Sequence, residues 1–408
     1  MRTLAYWLSL LLVFLIPFEK LITFGGRNGP TLIRFVGLFV AVFWIATVIV
    51  TDKFRKPHFF HILIFLFLLW NIASIFWSIS TSLSMSRLTT YAQLVGLVLV
   101  LWDLFTTPAA VRTALQAYVL GACVSVVSTI TNFLQGVTAH AYITRYSASG
   151  FNENEISLIL ALGIPMAWYL ATVTPSGSRD NALLKIANYA YVPAALFSVL
   201  LTASRGGLVC TVPAFIFILA TFTRLRLLQR VFLFAALVTA LFFVQSYVPE
   251  SSYERLAAAS DELENGDLNG RGEVWQLGFN VFLEHPFTGV GTGTFQAATE
   301  LGRAAHNAYL SILVEVGAIG FGLFLAIVAV SIQQALRQPR WESRLWLTVL
   351  LIWAVGVLLL SLEYRKPTWL ILSLPVMAAQ AYGWRPAWVF SPPRPVGQPN
   401  SALAHKAQ

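Results

Sequence analysis

Residues 308–336 read AYLSILVEVGAIGFGLFLAIVAVSIQQAL, an apolar run with one charged side chain, Glu315. A helix needs about 20 residues to cross the hydrocarbon core of a bilayer, so this run is long enough to span it. It lacks the period-two alternation of a transmembrane barrel strand, so a helix is expected to satisfy its backbone. Similar runs recur along the chain. Together they predict twelve spans, at 4–18, 31–50, 58–79, 86–105, 108–134, 155–173, 186–203, 206–223, 230–249, 308–336, 344–362 and 367–384. The first has no small-x-small cleavage site and is followed by Glu19-Lys20, so it reads as a retained helix and not a signal peptide. The expected fold is an all-α polytopic membrane protein.

Composition agrees. Hydrophobic residues make up 57% of the 408 and charged residues 11%, with a mean hydropathy of +0.70. A soluble domain is about one quarter charged, so a single large globular core is excluded as the main reading. The net charge of +9 would suggest nucleic acid in a soluble chain. Here the basic residues cluster in short loops, and topology explains them better. Arg2, Lys53, Arg55, Lys56, Arg224, Arg226, Arg230, Arg337 and Arg340 fall on one side, while most of the 18 acidic residues fall on the other. The Lys/Arg bias sets both termini in the cytoplasm. Cys123 and Cys210 lie inside apolar runs, so neither a disulfide nor a metal site is expected. HExxH and CxxC spacings are absent.

One connection is long. Residues 1–249 hold the first nine spans, 250–307 form an outward polar loop, 308–384 hold the last three spans, and 385–408 form a Pro-rich tail read as disordered. Within 273–284, Val274, Leu277, Val281 and Phe282 share a helical face, as in a short helix on a membrane surface. Residues 256–270 read as a lid or linker.

Candidate residues gather on the outward side. Arg205, in Thr202-Ala203-Ser204-Arg205-Gly206-Gly207, sits at a tight turn between two spans. Its guanidinium either snorkels to the interface or clamps an anion with its planar fork of donors. Arg271, before the surface helix, is either an exposed charge beside Glu273 or an anion ligand at a helix N-terminus. His306 opens the tenth span and has the one side chain that titrates near neutrality, which suits a general base; the bland alternative is an interfacial cap. Asn307 beside it could orient a polar ligand. Arg87, Arg145, Arg365 and Lys366 are further outward cations at helix ends, which either meet a ligand or contact headgroups. Glu315 inside the tenth span is either a functional carboxylate or a structural partner for one of these arginines, and the second reading is preferred. Gly289-Val290-Gly291-Thr292-Gly293 does not match GxGxxG and reads as a flexible turn.

Three pieces in order carry a resemblance. They are Ala203-Ser204-Arg205-Gly206; Gly270-Arg271-Gly272-Glu273-Val274-Trp275 running on to His285-Pro286-Phe287-Thr288-Gly289-Val290-Gly291-Thr292-Gly293; and His306-Asn307-Ala308-Tyr309-Leu310 with Glu315-Val316-Gly317. This set resembles the O-antigen ligase and polymerase superfamily of membrane glycosyltransferases, most densely over 200–320. The resemblance implies a GT-C-like fold in a bacterial inner membrane with a periplasmic site. It implies transfer of a glycan from an undecaprenyl-diphosphate donor to a hydroxyl of lipid A–core, with inversion, no nucleotide sugar and no metal; neither a cofactor nor a nucleic-acid partner is expected. His306 matches the family's proposed general base, and Arg205 and Arg271 match its diphosphate-binding arginines. Arg145, Arg87 and Arg365 are further donor-binding candidates, and Asn307, Tyr309, Glu315 and Arg303 are acceptor or supporting candidates. The alternatives are a lipid-linked glycan polymerase of the same fold, a protein O-glycosylating relative, and, from another class, a transporter or flippase. The last would favour midplane charges and paired broken helices.

Overall fold

Glu153–Thr172 is apolar on every side, and a helix of that kind buries itself among other helices. In the computed structural model, which describes residues 1–25, 29–138, 145–172, 182–222, 230 and 270–381, this helix is the core of a bundle. Nearly every side chain along it is buried. Around it pack α5 (Pro108–Leu134), α7 (Ala182–Leu201), α8 (Arg205–Thr221) and α12 (Arg340–Val357), with the central helix itself numbered α6. Pro165 removes one backbone donor from α6. One turn earlier, the hydroxyls of Tyr118 and Tyr191 donate to the carbonyls of Ile159 and Leu160, at 3.1 and 2.9 Å. Tyr191 comes that close because Gly163 has no Cβ; one placed there would lie 2.3 Å from the hydroxyl oxygen.

The remaining described helices complete the bundle. They are α1 (Arg2–Leu15), extended by a 3-10 turn through Phe18; α2 (Leu32–Thr51); α3 (Phe59–Ala73), extended by a 3-10 turn over Ser74–Trp77; α4 (Thr81–Leu104); α9 (Arg271–Glu284); α10 (Phe295–Ala298); α11 (Ala308–Leu336); and α13 (Lys366–Ala381). Among the described residues the only β pairing is an isolated bridge between Thr23 and Thr31. Among the described residues, seven helices are long and apolar enough to cross a membrane: α2, α3 with its 3-10 extension, α4, α5, α6, α7 and α11. α1 with its extension and α8 are shorter and apolar. The peripheral α2 turns Leu38 (67% exposed), Phe39, Val42, Ile45 and Ile49 (74% exposed) outward. A continuous apolar face of this kind belongs in lipid and would aggregate in water.

A helix occupies each predicted span that falls in the described residues, with shifted ends. Residues 231–249 of the ninth span, the linker through 269, His140 and the tail from 385 lie outside them. α4 starts five residues before its predicted 86, because Ser80 and Thr81 already begin the helix. Arg87 therefore lies on α4's second turn and not at its tip. α11 is not continuous. Gly317 has φ 65° and ψ −172°, which splits the helix after Val316.

The two ends of the bundle differ. At one, the buried Asp103 accepts from the backbone of Arg55 (2.8 Å) and the indole of Trp44 (2.9 Å), and pairs with Arg2 (3.1 Å). At the other, Lys366 pairs with Glu19 at 2.6 Å, Lys20 with Glu155, and Arg87 with Glu363 at 3.5 Å. The candidate residues lie at this second end.

Candidate functional site

The site is built on the starts of three helices. Ser204 caps α8, its Oγ accepting from the amide of Gly207 at 3.1 Å and donating to Asn154 Oδ1 at 2.8 Å. Arg205 is thus the first residue of the helix. The corner before it is fixed by Arg145, whose Nε donates to the carbonyl of Thr202 (2.8 Å) and whose Nη2 donates to Asn154 (3.1 Å). Arg145 also lies 3.6 Å from the buried carboxylate of Glu153. Ala203 takes a left-handed φ of 48° inside this corner, a conformation a non-glycine residue adopts only when its surroundings impose it. Gly206 and Gly207 admit protein neighbours: a Cβ on them would lie 2.6 Å from Leu359 and 2.3 Å from Ser157.

Arg271 is the first residue of α9, after Gly270 at φ 68°. The guanidinium of Arg303 lies over Gly270, 3.3 Å from where a Cβ would be. α9 buries Val274 and Gly278 against Phe295, Ala305 and Val314, and leaves Phe279, Leu283 and the following Phe287 exposed.

His306 precedes the third helix start. Its φ is 47°. Ala305 before it is buried, and its carbonyl accepts from the indole N–H of Trp275 at 2.8 Å. Asn307 after it caps α11, its Oδ1 accepting from the amides of Tyr309 (3.0 Å) and Leu310 (3.2 Å). His306 is therefore outside the helix, held between two anchored neighbours.

These three residues come together. Arg271 is close enough to Arg205, and His306 close enough to Arg271, for their charges to act on one another. Burial first, and then the charge of Arg205, holds the Arg271 guanidinium below its ordinary value. Burial first, and then Arg271, lowers the pKa of His306. Its imidazole is therefore neutral at neutral pH, the state needed to accept a proton. Two guanidiniums side by side repel, whereas an anion between them would be held by both. The N-terminal ends of α8 and α9 add to the positive field.

The other candidates do not join this group directly. Arg87 pairs with Glu363 and stacks at 3.5 Å over the ring of Tyr364. Glu363, wholly buried in the turn before α13, is pushed up to about 7 by burial, against the pull of Arg87. Arg365 lies 3.8 Å from Glu155. Tyr309 packs its ring on Phe321 and Phe324. Glu315 accepts from the amides of Gly293 (2.8 Å) and Phe295 (3.4 Å) and lies within electrostatic reach of Arg87.

The stretch read as a flexible turn is packed instead. Gly289, Gly291 and Gly293 all have positive φ, and Val290 and Thr292 are buried. A Cβ on Gly289 would lie 2.5 Å from Glu315's carbonyl, and one on Gly291 would lie 2.3 Å from Ser78. The sequence reading has Trp275 and Gly317 only within the motifs that carry the resemblance, with no role for either, and does not single out Asn154.

Residues 190–325 match a family model described as O-antigen ligase. This region is assigned to the O-antigen ligase and polymerase superfamily. The matched O-antigen ligase region begins within α7 and ends within α11. It contains Arg205, Arg271, Arg303, His306, Asn307, Tyr309 and Glu315, while Arg87, Arg145 and Arg365 lie outside it. No curated protein matches the chain. The apolar helices support a membrane protein, and the matched region supports an O-antigen-related role.

Proposed function

We propose that this protein is an O-antigen ligase. It transfers a glycan from undecaprenyl diphosphate to a sugar hydroxyl of lipid A–core, at the periplasmic face of a bacterial inner membrane. Twelve spans with both termini in the cytoplasm give the topology this needs. The observation that carries the reading is the meeting of Arg205, Arg271 and His306 from three separate chain segments, inside the region matched to the O-antigen ligase family.

The chemistry follows from the side chains. The donor has a lipid tail and an anionic head, which suits a cationic site at one end of an apolar bundle. Arg205 and Arg271 bind the diphosphate and offset the charge that grows on it as the glycosidic bond breaks. His306, neutral beside Arg271, takes the proton of the acceptor hydroxyl as its oxygen attacks the anomeric carbon. Attack on the face opposite the diphosphate inverts configuration. Arg303, over Gly270, adds positive charge beside Arg271. Phe279, Leu283 and Phe287 rest in the outer leaflet and keep α9 at the interface.

The test is transfer in vitro with purified protein, undecaprenyl-diphosphate glycan and lipid A–core. Wild type should transfer; Arg205→Ala and Arg271→Ala should fail through donor use. Deletion of the gene separates ligase from polymerase. Loss of every O-antigen band from lipopolysaccharide, with lipid-linked polymer accumulating, supports ligation. A surviving core-plus-one-unit band supports polymerisation.

A further inference from the structure

The break in α11 exposes backbone groups that a continuous helix would use internally, and the 286–295 segment and Trp70 of α3 take them up. Val314, Glu315 and Val316 offer carbonyls to Val290 N (3.1 Å), Gly291 N (2.8 Å) and Trp70 Nε1 (2.9 Å). The amide of Ala318 donates to Pro286's carbonyl at 2.8 Å. A Cβ on Gly317 would lie 2.3 Å from Phe287's carbonyl, so only glycine allows this approach. Glu315 adds a side-chain contact, accepting from the amides of Gly293 (2.8 Å) and Phe295 (3.4 Å). The charges around this carboxylate are Arg87 from α4 and Glu363 from the turn before α13.

Phe295 carries the effect outward. Its ring lies against Gly278 of α9, where a Cβ would be 2.9 Å from Cε2. It also shares a buried cluster with Val274 and Ala305. Val274 is one turn from Arg271, and Ala305 is the neighbour of His306.

We infer that Glu315 is a positioning residue: by clasping the amides of Gly293 and Phe295, with Arg87 as its counter-charge, it fixes α9 against the His306 segment and so sets the approach of Arg271 to His306. Glu315 then touches neither donor nor acceptor, and Arg87 serves the site through it. The inference rests on the proposed pairing of Arg271 with His306 in one site. It requires that loosening the clasp relax the burial and repulsion acting on the imidazole.

The experiment follows the carbethoxylation of His306 by diethyl pyrocarbonate against pH, by peptide mass spectrometry on the full chain in detergent. Only the neutral imidazole reacts, so the midpoint reports its titration without any need for activity. The charge acting on His306 is that of Arg271 of α9, on which Arg205 of α8 acts in turn. Wild type should give a midpoint below the ordinary value of about 6.5. Glu315→Gln, which keeps one acceptor oxygen and loses the charge, should move the midpoint up. Phe295→Leu should move it the same way and decides the matter if Glu315→Gln does not fold. An unchanged midpoint in the folded variants overturns the inference. Arg271→Gln is the reference. No shift there would break the Arg271–His306 pairing itself, and absence of transfer by wild type would remove the ligase reading while leaving the clasp measurable.

Discussion

The indole N–H of Trp275 donates to the carbonyl of Ala305 at 2.8 Å. Trp275 lies one turn after Arg271 on α9, and Ala305 is next to His306. One hydrogen bond thus ties the helix bearing the cation to the segment bearing the imidazole. Trp275→Phe keeps most of the ring and removes this donor. A neutral hydrogen bond contributes about 1 kcal/mol, so transfer should fall roughly five-fold with the fold retained. The check is steady-state transfer alongside size-exclusion behaviour in detergent.

The titration of His306 gives a pH prediction with a definite sign. A general base works as the neutral form, so kcat/KM should rise with pH through the imidazole pKa. Burial and Arg271 lower that pKa, so the acid limb should lie below the ordinary histidine range. Arg271→Gln removes the repelling charge and should move the limb to higher pH in whatever activity remains. A pH series of initial rates checks this.

Arg87 should behave differently from Arg205. Its guanidinium sits between Tyr364's ring and the carboxylate of Glu363, whose side chain is 1% exposed. Without Arg87, Glu363, already raised to about 7 with the cation beside it, takes up a proton, so the loss is that of the ion pair and of the stacking on Tyr364 and not that of a stranded charge. Arg87→Ala should therefore lower the melting temperature of the detergent-extracted protein, which thermal unfolding reads. Arg205→Ala should leave it near wild type.

Glycine replacements should separate by location. Gly317→Ala puts a Cβ 2.3 Å from Phe287's carbonyl at a positive φ, while Gly302, also at positive φ, has nothing within 4 Å of its added Cβ. Gly317→Ala should abolish folded protein, and Gly302→Ala should cost only about 1–2 kcal/mol of backbone strain. Yield of monodisperse protein distinguishes them.

How much of this was legible in the sequence follows from what sequence patterns encode. The helices announced themselves through apolar length, since lipid demands it. Arg205, Arg271 and His306 stood out because charge at the end of an apolar run needs a reason. Their convergence was not visible, because α9 meets the His306 segment through Trp275–Ala305 and α10 through Gly278–Phe295, contacts that leave no periodic trace. The break at Gly317 was hidden because a glycine inside an apolar run reads equally well as close helix packing. The stretch from Gly289 to Gly293 was misread for a related reason. Alternating glycines signal positive φ, but not whether the chain around them is loose or clamped.

The central claim is tested most directly by a single-turnover reaction with His306→Asn. Asparagine tolerates the left-handed backbone of residue 306 and cannot act as a base near neutral pH. With donor binding measured separately, the account predicts binding within a few-fold of wild type and a transfer rate lower by on the order of 10²–10⁴. Transfer at the wild-type rate by the folded variant would contradict it.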